Sequence, residues 1–98
     1  MATSNEVFEA VKGLLIKHYD FSESDIDMNT QIYDLFSERN ISGTDIQDKF
    51  FNFMVEHKEE IQEISGIRLA SDYKIRSELN SYDKSIYYIC DLLYDGRL

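Results

Sequence analysis

The chain has 98 residues, a formal net charge of −9, one cysteine, four glycines and no proline. This length allows one domain with one core, and so little proline and glycine disfavours a turn-rich β-sandwich. A single cysteine excludes an internal disulfide and a cage of cysteine ligands around a metal. The first residues do not have the pattern of a secretory signal, and no apolar run is long enough to span a bilayer. We therefore expect a cytoplasmic protein that does not enter the membrane.

The negative charge is concentrated in one stretch of the chain. Residues 20–63 contain twelve Asp and Glu against three Lys and Arg, whereas the rest of the chain has seven of each. Such a stretch would repel phosphate, so nucleic acid is not an expected partner. It is either a solvated face that aids solubility or a docking surface for a protein with a basic surface.

The N-terminal third of the chain predicts one long helix and one long loop. Apolar residues recur at helical spacing over residues 4–19. They are Val7, Phe8, Val11, Leu14 and Leu15. Residues 20–43 place isolated apolar residues among Ser, Asp and Asn, which indicates a loop that packs on the core, with a short turn of helix at 31–37.

The rest of the chain predicts further helices. A second helix begins near Thr44, and its apolar stripe could run unbroken to Gly66, a typical helix end. The stripe consists of Ile46, Phe50, Phe53, His57, Ile61 and Ile64. A loop and a short helix near 71–79 follow. The last helix is predicted at 83–95, with Asp83 as its cap and Gly96 at its end.

These elements predict an all-α fold. It is a single domain, 1–98, built as a small antiparallel bundle of three long helices plus a short one, without a β-sheet of consequence. We expect Phe50 and Phe53 to be buried in its core against Leu14, Leu15 and Ile89.

Motifs that carry catalysis are missing from the sequence. It contains no P-loop, no GxSxG and no glycine-rich dinucleotide turn. His18 and His57 lie on different helices, each without an HExxH-type partner. Two ligands from separate helices could meet, but a half-buried histidine near a helix end is the commoner case, so no metal site is assigned. Cys90 lies on the apolar stripe of the last helix, where cysteine acts as a small hydrophobe. We therefore do not expect an enzyme.

Two short segments carry a resemblance to a known family. The first is Asp27-Met28-Asn29-Thr30-Gln31-Ile32-Tyr33-Asp34-Leu35-Phe36, and the second, which opens a helix, is Ser42-Gly43-Thr44-Asp45-Ile46. Together with the order of helices, they resemble acyl carrier proteins. The chain is more similar still to a group of uncharacterised bacterial carrier-like proteins whose last helix is followed by Gly-Arg or Gly-Lys, as in Gly96-Arg97 here. The resemblance implies an acyl-carrier-like fold.

The carrier family attaches phosphopantetheine to the serine of an Asp-Ser-Leu motif, which this sequence lacks. The nearest serine is Ser42, which is a candidate attachment site if it is not simply a helix cap. We therefore expect a monomeric carrier-like protein without a working phosphopantetheine arm and without another cofactor.

The expected function is binding of a basic protein partner through the acidic second helix. The proposed contact residues are Asp45, Asp48, Glu56 and Glu59. Tyr87 and Tyr94 are either a secondary contact patch or tyrosines at the edge of the core. The alternative function is that of a small acidic inhibitor or immunity-type protein that neutralises a basic toxin or nuclease.

Overall fold

The computed structural model describes the backbone of residues 3–37, 43–79 and 84–98, and the side chains of 5–37, 46–79 and 84–98. Most of this backbone is helical. The helices are α1 (Thr3–Tyr19), α2 (Ile32–Ser37), α3 (Gly43–Glu56), α4 (Lys58–Ser65), α5 (Asp72–Glu78) and α6 (Ile86–Leu92), and the strands are β1 (Ile67–Leu69) and β2 (Tyr94–Arg97). A single 3-10 turn lies at Glu23–Asp25.

The first helix lies at the centre of the packing. Contacts join α1 to both α4 and α6, while α2 packs on α3 and α3 packs on α5. The predicted apolar stripe of α1 is buried in full. Burial of such a stripe provides most of the free energy that holds a helix of this length in place.

The loop between α1 and α2 is packed on the core, as its apolar residues predict. Phe21 and Ile26 are buried, and so are Ile32, Leu35 and Phe36 in α2. At the end of the loop the backbone N–H of Ile86 donates to the Thr30 carbonyl over 2.9 Å. This bond ties the loop to the start of α6.

The predicted second helix is divided at His57. The His57 backbone has φ −104° and ψ 13°, which differ from helical values, so α3 ends at Glu56 and α4 begins at Lys58. Ile64 repeats the position of Ile46 after about five turns of a straight helix, yet Ile46 is fully buried and Ile64 is 59% exposed. The buried residues of α4 are Ile61, as the stripe predicts, and Ser65 instead of Ile64, which corrects the predicted stripe at its last position.

The described chain is mostly helical, as predicted, and it also contains a small antiparallel sheet that the all-α prediction did not include. Strand β1 pairs with β2, with Ile67 opposite Arg97 and Leu69 opposite Tyr94. Ile67 and Leu69 are buried while Arg68 between them is exposed, which is the alternation of a strand with one face on the core. The sheet forms because these two short segments, distant in sequence, satisfy each other's backbone hydrogen bonds.

The last helix is shorter than predicted. It begins after Ser85, whose hydroxyl accepts a hydrogen bond from the backbone N–H of Tyr88 over 3.1 Å. Asp83, the predicted cap, lies outside the described residues. The helix ends before β2, so Gly96 lies in a strand with φ 98° and does not terminate the helix.

Gly66 and Gly13 provide a matched test of backbone conformation. Gly66 ends α4 in the left-handed region with φ 71°, and a Cβ there would meet no atom within 4 Å. Gly66→Ala should therefore destabilise the fold by about 1–2 kcal/mol through backbone strain alone. Gly13, within α1, also has room for an added Cβ. Gly13→Ala should stabilise the fold by about 0.5–1 kcal/mol, because alanine has a higher helix propensity than glycine. Urea denaturation measures both changes, and a shift of the same sign in the two variants would contradict this account.

Candidate functional site

Two of the predicted site residues cannot be placed. Ser42, the candidate attachment site for phosphopantetheine, lies outside the described residues, and the side chain of Asp45 does too. The predicted contact residues whose side chains the structure does describe are Asp48, Glu56 and Glu59.

Asp48 has an intramolecular partner. The Arg76 guanidinium, on α5, donates to the Asp48 carboxylate over 2.8 Å. The same guanidinium lies over the ring of Phe51, 4.1 Å from the ring centre. Asp48 is thus held against α5, and part of its negative charge is offset by a residue that the sequence places 28 positions away.

Glu56 and Glu59 lie near each other, although they belong to different helices. Both line one open groove of about 540 Å³ between the α3–α4 junction and α5. Both side chains are exposed, and neither forms an ion pair within the described part of the chain. Lys58, between them in sequence, is instead paired with Asp72 over 3.4 Å.

The Glu56 carboxylate also acts on a neighbouring phenol. Burial raises the pKa of Tyr19, and the negative charge of Glu56 raises it further. The hydroxyl of Tyr19 therefore stays protonated, so the phenol adds no negative charge near Glu56 at neutral pH. Glu56 thus lies where the C-terminal end of α1 meets the C-terminal end of α3.

Several acidic residues of the long loop hold the loop together. The Asp25 carboxylate accepts from the backbone N–H of Ser22 over 2.9 Å. The Asp27 carboxylate accepts from the backbone N–H of Asn29 over 2.8 Å and from the Thr30 hydroxyl over 3.2 Å. These are the local side-chain bonds that order turns. A part of the acidic stretch therefore has a structural role besides its charge.

Tyr87 and Tyr94 do not share a helix face. Tyr87, on α6, is half-buried and makes an edge-on ring contact with Phe8 of α1, with ring centres 5.6 Å apart. Tyr94 belongs to β2, where it is 40% exposed. Their predicted spacing along one helix fails because α6 ends at Leu92. Tyr87 fits the alternative of a tyrosine at the edge of the core.

The two histidines meet, although the sequence places them on separate helices. The rings of His18, at the end of α1, and His57, at the α3–α4 junction, are stacked with centres 4.4 Å apart and an interplanar angle of 27°. The Glu60 carboxylate lies 3.5 Å from Nδ1 of His57. One possible ligand atom from each of the three side chains lies within 4.8 Å of the other two. The sequence does contain one signal for this contact. Each histidine follows apolar residues of its own helix, and those residues face the same core.

Cys90 is enclosed in the core. Its side chain is 1% exposed, and burial, with a smaller contribution from Asp91, raises the pKa of its thiol to about 12. A thiol in this state is a packing group and a poor nucleophile.

Among the described residues no helix combines the length and the apolar character that a membrane crossing requires. No protein-family model, curated protein or solved structure matches the chain.

Proposed function

We propose that this chain is an acyl-carrier-like cytoplasmic protein without a working phosphopantetheine arm, which binds a protein with a basic surface and catalyses no reaction. The observation that carries the binding proposal is the pair Glu56 and Glu59. These two exposed carboxylates line one groove and have no ion-pair partner within the described residues. Lys or Arg side chains of a partner could therefore form ion pairs with these carboxylates.

The charge of the surrounding chain supports this choice of partner. Residues 56–63 contain four glutamates against one lysine, Lys58, and that lysine is paired with Asp72. Arg68 also lines the groove and is paired with Asp95, so Glu56 and Glu59 leave the surface with an excess of negative charge. Such an excess raises the rate at which a partner of opposite charge is captured. The binding surface is therefore centred on the α3–α4 junction. Asp48 is less suited to the first contact, because Arg76 already pairs with it.

The resemblance to carrier proteins rests on the two sequence segments and on the order of the parts. A long first helix, a packed loop and an acidic second helical region follow each other here as the resemblance implies. The absence of Asp-Ser-Leu supports a carrier-like protein that acts by binding alone. Incubation with a promiscuous phosphopantetheinyl transferase and coenzyme A, read by mass spectrometry, should add no mass. An added phosphopantetheine would show that the arm exists.

The inhibitor hypothesis uses the same acidic surface with a different partner. It differs in that the basic partner would be a toxin or nuclease whose activity is lost on binding. An activity assay on the captured partner, with and without this chain, separates the two functions.

Charge reversal tests the surface itself. In Glu56→Lys/Glu59→Lys, association with a partner captured from native lysate should slow by about tenfold or more at low salt, because attraction becomes repulsion. The dissociation rate should change less. Surface plasmon resonance at several salt concentrations measures both rates.

A matched control separates local contact from overall charge. Glu9→Lys/Asp91→Lys makes the same change in net charge at two exposed positions on α1 and α6. This control should keep most of the wild-type association rate. If both double variants slow association equally, the α3–α4 junction has no special role and the proposal fails.

A further inference from the structure

The side chains of His18, His57 and Glu60 bring together three possible ligands for one metal ion. Around a tetrahedral zinc ion, ligand atoms 2.0–2.2 Å from the metal lie about 3.4 Å from one another. His57 Nδ1 and a Glu60 carboxylate oxygen are already 3.5 Å apart. When His18 is included, one possible ligand atom from each of the three side chains lies within 4.8 Å of the other two. Because the two imidazole rings are stacked with an interplanar angle of 27°, the lone pairs of their nitrogens lie in nearly parallel planes and do not yet converge. Closing the set therefore requires the exposed His18 ring to rotate out of the stack, so that its nitrogen points towards the other two ligand atoms.

The core holds the backbone of these residues in place. His18 follows Leu14 and Leu15 by one turn of α1, and both leucines are buried. His57 lies one turn after Phe53 and one turn before Ile61, which are buried as well.

The imidazole of His57 is itself enclosed. Its side chain is only 16% exposed, and its ring lies 5.0 Å from the ring of Phe53. Packing therefore restricts the His57 side chain, which reduces the conformational entropy that metal binding must overcome at this ligand.

The donor atoms select the class of ion. Two imidazole nitrogens and one carboxylate oxygen suit Zn²⁺ and its first-row neighbours, whereas Mg²⁺ and Ca²⁺ prefer sets made only of oxygen. Three protein ligands leave a coordination position for water or for a group from a partner. The neighbouring carboxylates of Glu56 and Glu59 add negative charge that attracts a cation.

We propose that His18, His57 and Glu60 bind one divalent first-row transition metal ion, represented by Zn²⁺. The ion joins the C-terminal end of α1 to the α3–α4 junction. Because the native state brings the three ligands together and the unfolded chain does not, binding stabilises the fold.

Calorimetric titration of the full chain with Zn²⁺ alone, at neutral pH in a non-coordinating buffer, tests the proposal. Wild type should bind one equivalent. His18→Ala removes an exposed ligand without opening the core and should weaken binding by about a hundredfold, at least as much as the loss of a supporting residue around a metal site. Glu60→Gln should weaken it to a similar extent. Co²⁺ bound in place of Zn²⁺ should give visible absorption bands that His18→Ala lacks.

The control is Glu63→Gln, which removes the same charge from an exposed position of α4 outside the cluster. Its affinity should stay within about threefold of wild type, because screening weakens the effect of a distant exposed charge. Zn²⁺ at about 100 times the wild-type Kd should also raise the Tm of wild type by at least about 5 °C and that of His18→Ala by no more than about 3 °C. Equal affinity in wild type and His18→Ala, an equal loss in Glu63→Gln, or no saturable binding would each overturn the proposal.

Discussion

Phe53→Ala should lower the free energy of unfolding by about 3–5 kcal/mol, a large share of the stability of a small domain. The Phe53 side chain is 2% exposed. Its ring centre lies 5.9 Å from those of Tyr19 and Phe50 and 5.0 Å from that of His57. Removing the ring leaves a cavity where α1, α3 and α4 meet, and neighbours of this size can fill it only in part.

Urea denaturation measures the loss, and Asn52→Ala is the control. Asn52 is the preceding residue of the same helix and is exposed, so its replacement should change the free energy of unfolding by less than about 0.5 kcal/mol. The burial of Phe50 and Phe53 that the sequence predicts is confirmed, and both belong to one core cluster with Leu14, Leu15 and Ile89. A loss below about 1 kcal/mol for Phe53→Ala would show that this cluster is loosely packed.

Cys90 in the native chain should react with iodoacetamide at least about a thousandfold more slowly than Cys90 in the urea-unfolded chain. The reacting species is the thiolate. The native thiol has a pKa of about 12, whereas an exposed thiol ionises near about 8.5. Burial also blocks the reagent. Mass spectrometry follows the reaction, and a native rate close to the unfolded rate would mean that α6 opens readily.

The same shift makes the stability depend on pH in the alkaline range. Between about 8.5 and 12 the unfolded thiol has lost its proton while the native thiol keeps it. The unfolded state then binds fewer protons, so the free energy of unfolding falls as pH rises through this window. Cys90→Ala lacks this group, so its stability should fall less steeply over the same range. Parallel curves for the two proteins would contradict the raised pKa.

The helical elements follow from local patterns, which is why they were predictable. Over α1 the apolar spacing, the length and the polar exposed face agree, and the structure has that helix at Thr3–Tyr19. The short helices predicted at 31–37 and 71–79 are present as α2 and α5. Gly66 ends α4 as predicted, because its left-handed backbone suits glycine. In each case the sequence pattern that predicts the element lies within that element or within a few residues of it.

The errors have a common physical origin in contacts between distant segments. An apolar stripe does not determine whether a helix is interrupted, so it predicts neither the separation of α3 from α4 at His57 nor the exposure of Ile64. The last helix was overextended because a three-residue partner, β1, draws residues 94–97 into a strand. A strand this short has no recognisable period of its own.

The candidate sites divide in the same way. By itself the sequence determined the helical class, the apolar positions of the main core and the location of the negative charge, because these depend on composition and on spacing along one segment. Only the tertiary structure decided which charges are paired, since Arg76 reaches Asp48 from another helix. It alone placed His18 beside His57 and Glu60. Pairings of this kind depend on how helices pack against one another. Packing brings together residues that no local sequence pattern links.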